Sequence, residues 1–193
     1  VAYFIISFNV YWLYRSITLS VAGVMSYFRI KAAEKYDWMG DVRGFADWKE
    51  VRHVIVLPTY KEPGDILVRT LEALVRQTVG AEQIIPVIAM EARAGAEINE
   101  SREKQLRERF DKKFAGLFFY YHPANLTGEV VGKSSNAAWA GKEFRKELKK
   151  HKDWAIDKMT ISSVDCDVAL HPNHLANLTY MFLDDPNRYH KIW

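Results

Sequence analysis

His53-Val54-Ile55-Val56-Leu57-Pro58-Thr59-Tyr60-Lys61-Glu62-Pro63-Gly64-Asp65 is the stretch on which the fold turns. Its first six residues form a β-branched run closed by a proline, the signature of a buried strand. Asp65 is placed to cap a helix, and Ile66, Leu67, Leu71, Leu74 and Val75 then recur at helical spacing until Gly80. A strand, a short polar turn and an amphipathic helix make the first half of a βαβ unit.

The same alternation repeats outward. Residues 84–90 read as a second strand, in which Pro86 either weakens the reading or stands near the strand's start. Residues 96–114 carry one apolar stripe of Ile98, Leu106, Phe110 and Phe114 among charges. Residues 117–121 read as a third strand, 134–150 as a helix, 159–164 as a fourth strand and 173–183 as a last helix. The basic residues late in the helix over 134–150 read as a solvated face, favoured by the helix dipole. The expected fold class is α/β, a doubly wound and mostly parallel, Rossmann-like sheet with right-handed crossovers. Such sheets bind ligands beyond the carboxyl ends of their strands. The segments that follow the four strands begin at Thr59, Glu91, His122 and Asp165, and each carries polar chemistry.

After the fourth strand, Asp165-Cys166-Asp167 sets two carboxylates at i and i+2, a spacing suited to a hard divalent cation bound through oxygen. A turn or a helix-capping pair explains the same residues. After the first strand, Tyr60 could pack on a base and Glu62 could accept from a ribose hydroxyl; a proline-bounded turn is the plainer account. Glu91, after the second strand, suits ribose or base recognition, or is a surface carboxylate. After the third strand, Gly128 to Asn136 brings glycines, Lys133 and serines to a helix N-terminus, a cradle for an anion. It falls one residue short of the P-loop spacing. His171 and His174, at i and i+3, are either a third metal ligand or structural histidines. Sequons begin at Asn99, Asn125 and Asn177 and carry weight only outside the cytoplasm.

In this order, Pro58 to Glu62, the helix from Leu71 to Gln77, Gly132-Lys133 with Asn136, and Asp165-Cys166-Asp167 resemble the family 2 glycosyltransferases. These are inverting enzymes of the GT-A fold, and the membrane-embedded polysaccharide synthases are among them. The resemblance covers residues 52–183. It implies donor contacts from Thr59, Tyr60, Glu62, Glu91, Lys133, Asn136 and Asp165, with Mg²⁺ or Mn²⁺ held by Asp165 and Asp167. The implied partners are a nucleotide-sugar donor, most readily a UDP-sugar, a glycan or lipid acceptor, and the membrane. Met90-Glu91-Ala92-Arg93 departs from the acidic turn usual there. The general base and the Gln-x-x-Arg-Trp acceptor motif have no counterpart, so the catalytic residue is unassigned and the chain is expected to bind donor poorly and not to turn over. The alternatives are a non-catalytic nucleotide-binding or assembly module of a membrane complex, and a P-loop-like NTPase.

The N-terminus decides location. Between residues 1 and 30 only Arg15 and Arg29 are charged. A span needs roughly 20 apolar residues, so residues 1–30 read as a transmembrane or membrane-associated helix. Arg15 leaves open a shallower segment after it, and a buried helix of a larger core is the remaining reading. Residues 31–51, with Trp38, Phe45 and Trp48 among charges, read as an interfacial connector, and 52–193 as a nucleotide-sugar-binding GT-A domain incomplete at its end. Arg29, Lys31 and Lys35 place that domain on the cytoplasmic face of an inner membrane. A net charge of +3 without a basic, aromatic-interleaved stripe argues against nucleic acid. One cysteine excludes a disulfide framework. Both ends read as cut from a longer protein.

Overall fold

The computed structural model describes residues 1–130 and 132–193. Val131, in the glycine and lysine loop singled out above, lies outside them. The chain falls into two units, Val1–Asp37 and Trp38–Trp193.

The first unit is one helix, α1 (Ala2–Lys35), in which no residue is buried. Its polar side chains bond back to their own helix: Asn9 Nδ2 donates to the Ile5 carbonyl at 2.8 Å, and Thr18 Oγ1 to those of Tyr14 and Arg15. Among the described residues no helix is long and apolar enough to cross a membrane. α1 has 34 residues, so the shortfall is apolarity. Ser7, Asn9, Arg15, Ser16, Thr18 and three tyrosines dilute its apolar half. Nor are its polar residues gathered on one face, as a helix lying in an interface requires. The expected spanning or interfacial helix is therefore corrected. The inner-membrane, cytoplasm-facing location, which rested on the span and its flanking cations, falls with it.

The second unit carries a four-stranded, all-parallel sheet of β1 (Arg52–Thr59), β2 (Ile84–Glu91), β3 (Phe118–His122) and β4 (Met159–Ser163), in the order β3-β2-β1-β4. This is a Rossmann-like, doubly wound sheet; the finer GT-A assignment is replaced by this coarser architecture. The helices are α2 (Trp38–Val42), α3 (Gly64–Val75), α4 (Ala96–Phe110), α5 (Lys133–Leu148) and α6 (His174–Asp184). Both faces of the sheet are covered, as a parallel sheet demands. Ile55, Leu57, Ile84, Ile88 and Met90 pack with Leu67 and Leu71 of α3, Leu106 and Phe110 of α4, and Leu175 of α6. The alternate residues Val54, Val56, Ile85, Val87 and Ala89 face Ala140 and Phe144 of α5. That period of two through β1 and β2 is why both strands are apolar at nearly every position. Met39 and Val42 join the first of these clusters, Trp38 and Trp48 pack against it, and Phe45 packs with Phe182.

Two prolines stand inside the central strands, and Pro86 is near the start of β2, one of the two readings its position allowed. Each is tolerated because its missing N–H faces the neighbouring chain where ladder pairing has not begun or has already ended. The Ile84 carbonyl accepts from Ala115 N at 3.0 Å, so Ile84, and Pro86 two residues on, turn their backbone toward the β3 side. Pairing with β3 begins only at Val87. Likewise the Val56 carbonyl accepts from Val164 N at 3.0 Å, so Pro58 faces the β4 side, where pairing has stopped at Val56.

Candidate functional site

Helices α3 and α4 lie on one face of the sheet and α5 on the other, so the winding reverses between β1 and β4. At that reversal the carboxyl ends of β1, β2 and β4 and the start of α5 surround a cavity of about 500 Å³. All eight residues singled out from the sequence line it: Thr59, Tyr60, Glu62, Glu91, Lys133, Asn136, Asp165 and Asp167. Arg93, which sequence reasoning passed over, lines it too.

The turn after β1 is organised by Glu62. Its Oε2 accepts from Thr59 Oγ1 at 2.7 Å and from Tyr60 N at 2.6 Å. Burial pushes this carboxyl upward, but those bonds and the charge of Arg102 outweigh it and hold Glu62 below the usual carboxylate range. Arg102, itself buried, donates to the Tyr60 carbonyl at 2.9 Å. Over the Tyr60 ring lie the Arg93 guanidinium, 5.1 Å from the centroid, and Lys61 Nζ, at 5.2 Å. Arg93 also pairs with the buried Glu91.

Asn136 is 1% exposed and acts as a staple. Its Nδ2 donates to the carbonyls of Ala89 at 2.7 Å and Thr59 at 3.3 Å, fixing the first turn of α5 to the ends of β2 and β1. Asn99 does the same in α4, where its Nδ2 donates to the Glu91 carbonyl at 2.9 Å. Each asparagine stands four residues after a glycine N-cap, Gly95 or Gly132, and each leaves a buried Oδ1 without a partner. The repeated Gly-x-x-x-Asn spacing is visible in the sequence; that its amide would meet strand carbonyls is not.

The loop after β4 is held from behind. Thr70 Oγ1 donates to the Cys166 carbonyl at 2.6 Å. Gln77 donates through Nε2 to the His171 carbonyl at 2.9 Å and accepts from Leu175 N at 3.0 Å. Cys166 is buried and packs in the main core. Burial, with the carboxylates of Glu62 and Asp167, pushes its thiol up to about 11. Against a thiol near 9 in the unfolded chain, ionisation alone should slow its alkylation in the native protein roughly hundredfold at pH 8. Timed labelling with iodoacetamide, native against urea-unfolded, measures this; equal rates would contradict the buried placement.

At the front of the same loop Asp165 pairs with Lys133, and Asp167 is exposed with no ion pair among the described residues. The expected Mg²⁺ or Mn²⁺ site is corrected here. Among the described residues no group of three or more His, Cys, Asp or Glu side chains could hold a metal ion. Two carboxylates, one already met by an ammonium, offer far fewer than the six or more oxygens of a hard cation's shell. His171 and His174 complete no such group; His171 Nδ1 accepts from Asn173 N at 3.2 Å, and His174 is exposed. The sequon asparagine Asn99 is buried.

No family model matches the chain, and no curated protein matches it.

The family 2 resemblance is thereby corrected, and with it the metal-dependent, membrane-linked transfer it implied. The expected partners, a nucleotide-sugar donor, a glycan or lipid acceptor and a membrane, rested on that resemblance and on the span. Of the alternatives, a non-catalytic nucleotide-binding or assembly module of a membrane complex loses the span it leaned on, and the P-loop-like NTPase keeps only a glycine spacing one residue short. What remains is the cavity and its chemistry.

Proposed function

We propose that this chain acts in glycosyl transfer and recognises a sugar in the cavity at its strand ends. The observation that carries the reading is the makeup of the cavity. Four carboxylates, Glu62, Glu91, Asp165 and Asp167, and two cations, Arg93 and Lys133, converge beside the Tyr60 ring at the reversal point of a doubly wound sheet. A pyranose presents several O–H donors and one apolar C–H face. Acceptor-rich walls with an aromatic side chain match that pattern, because each buried hydroxyl needs an acceptor.

Glu62 uses one oxygen for Thr59 and Tyr60, which leaves Oε1 for a ligand. Because its pKa is depressed, it stays an acceptor well into acid. Glu91 is buried and committed to Arg93, so it shapes the wall more than it contacts ligand. Asp167 is the most accessible acceptor of the four in its bonding. No side chain here is assigned as general base.

Saturation-transfer NMR of the full chain with D-glucose, D-galactose and N-acetylglucosamine tests this. At least one sugar should bind, and Asp167→Asn should weaken it roughly tenfold, the worth of a hydrogen bond to a charged group. Absence of binding by all three, or unchanged affinity in both Asp167→Asn and Tyr60→Ala, would sink the reading.

A further inference from the structure

A second cavity, of about 330 Å³, lies on the other side of the turn Ala92–Ala94 that follows β2. Glu91 and Arg93 line the first cavity, whereas Ala92 lines this one with Ala96, Asn99 and Glu100 of α4 and Tyr121 of β3. We infer that it is a binding site for a small organic cation, an ammonium carried on an apolar body such as an aryl or alkyl amine. The inference is independent of the sugar-recognition reading, because no residue lines both cavities.

The side chains that face this cavity offer acceptors, and their own donors are already engaged. Asn99 is 2% exposed, and its Nδ2 donates to the Glu91 carbonyl at 2.9 Å, so the other arm of the amide is what it presents. That arm, Oδ1, has no partner among the described residues. The amide cannot turn over to cure this, because the strand carbonyl would then lose its donor. A buried acceptor in this state calls for a hydrogen from an arriving group. The Tyr121 hydroxyl donates to Glu103, and burial together with that bond pushes the phenol above its ordinary range. Its oxygen therefore has only lone pairs left to give. Glu100 is exposed and adds a carboxylate.

Charge selects the same ligand. Glu97 and Glu100 stand in the first two turns of α4 with no ion pair among the described residues, while Glu103 pairs with Arg107. The dipole of α4 sets about half a positive charge at its start, against two whole negative ones. An ammonium here meets the Glu100 carboxylate, Asn99 Oδ1 and the Tyr121 ring, and each of the three favours a cation that donates hydrogen bonds. An anion would meet acceptors alone, and a hydrocarbon would leave Asn99 as it is. Ala92 and Ala96 contribute only methyl groups, which keeps the space beside the ring open for the ligand's apolar body.

Titrating the isotope-labelled full chain at pH 7 with phenethylamine, 2-phenylethanol and phenylacetate tests this, since the three share a ring and differ in charge. The amine should shift the backbone amide signals of Ala96, Asn99, Glu100 and Tyr121. It should bind roughly tenfold more tightly than the alcohol, the worth of a hydrogen bond to a charged group. Glu100→Gln, at an exposed position, should remove that margin, and Tyr121→Leu should weaken the amine about threefold. Ala96→Leu, which suits a helix, should fill the space and abolish binding of amine and alcohol alike. Equal binding of amine and alcohol, or tighter binding of phenylacetate, would overturn the cation site. Amine binding unaltered by both Glu100→Gln and Ala96→Leu, or shifts confined to Tyr60, Arg93 and Asp167, would place the amine elsewhere. Absence of binding by all three would remove the site and leave sugar recognition in the first cavity untouched.

Discussion

Lowering the pH from 7 to 4 is expected to remove roughly 3 kcal/mol of folding stability through His53 alone. This residue of β1 is fully buried between two threonines, with Nδ1 2.8 Å from Thr160 Oγ1 and Nε2 2.9 Å from Thr179 Oγ1. The Thr179 hydroxyl donates to the Leu175 carbonyl at 2.7 Å, so it accepts from the ring. His53 is thereby fixed as the neutral Nε2–H tautomer, accepting at Nδ1 from Thr160. Burial, together with the charges of His174 and Arg52, lowers its pKa from 6.5 to about 3. Between those values the unfolded chain binds a proton that the native state refuses. Stability is therefore fully present above the unfolded value, falls as the pH drops below it, and levels off near 3. His174, lowered by burial and by His171, adds in the same direction. Urea midpoints at pH 7, 6, 5 and 4 measure the loss. Ring-proton NMR assigns it, since a native His53 ring that titrates near 6.5 would refute the account.

Gln77→Leu should cost about 2–4 kcal/mol and weaken ligand binding without touching the cavity. The leucine matches the glutamine in bulk but leaves the Leu175 N–H and the His171 carbonyl without their partner. A buried orphan of either kind costs about 1–3 kcal/mol. His171 lies on the segment joining β4 to α6, the one that presents Asp165 and Asp167, and Leu175 in the first turn of α6 that follows it. The urea midpoint should fall with an unchanged slope, the Leu175 amide should exchange faster, and sugar affinity should drop. A midpoint within about 0.5 kcal/mol of the parent, the range of an ordinary surface substitution, would show that the clamp holds nothing.

The parallel sheet was legible because β1 and β2 are continuous apolar runs, and helical spacing returned after each. The strand-end clustering of Thr59, Glu62, Glu91 and Asp165 followed from the same alternation. Other features are invisible in one dimension. Pro86 left the reading of β2 divided because the level at which β3 begins is a property of pairing, not of residues 84–91. Asp165 and Lys133 read as a metal ligand and an anion contact because their meeting across the β1/β4 gap depends on α5 crossing to the other face. Residues 1–30 read as a span because charged residues alone were counted. Asn9, the serines and the tyrosines, each a small penalty, decided the apolarity together. Arg93 was missed although it stands two positions after Glu91, because it sits in the 3-10 turn Ala92–Ala94 that follows β2 and only that turn brings it back to the carboxylate.

Pro58 has a consequence for how this site can change over time. Had it an N–H, β4 could follow β1 for one more step and draw Val164 and Asp165 inward across the cavity. The end of the β1–β4 ladder at the edge of the cavity therefore coincides with a residue that has no donor to extend it. Any descendant that keeps the proline inherits that end point, while Tyr60, Lys133 and Asp167 are left free to diverge toward other ligands.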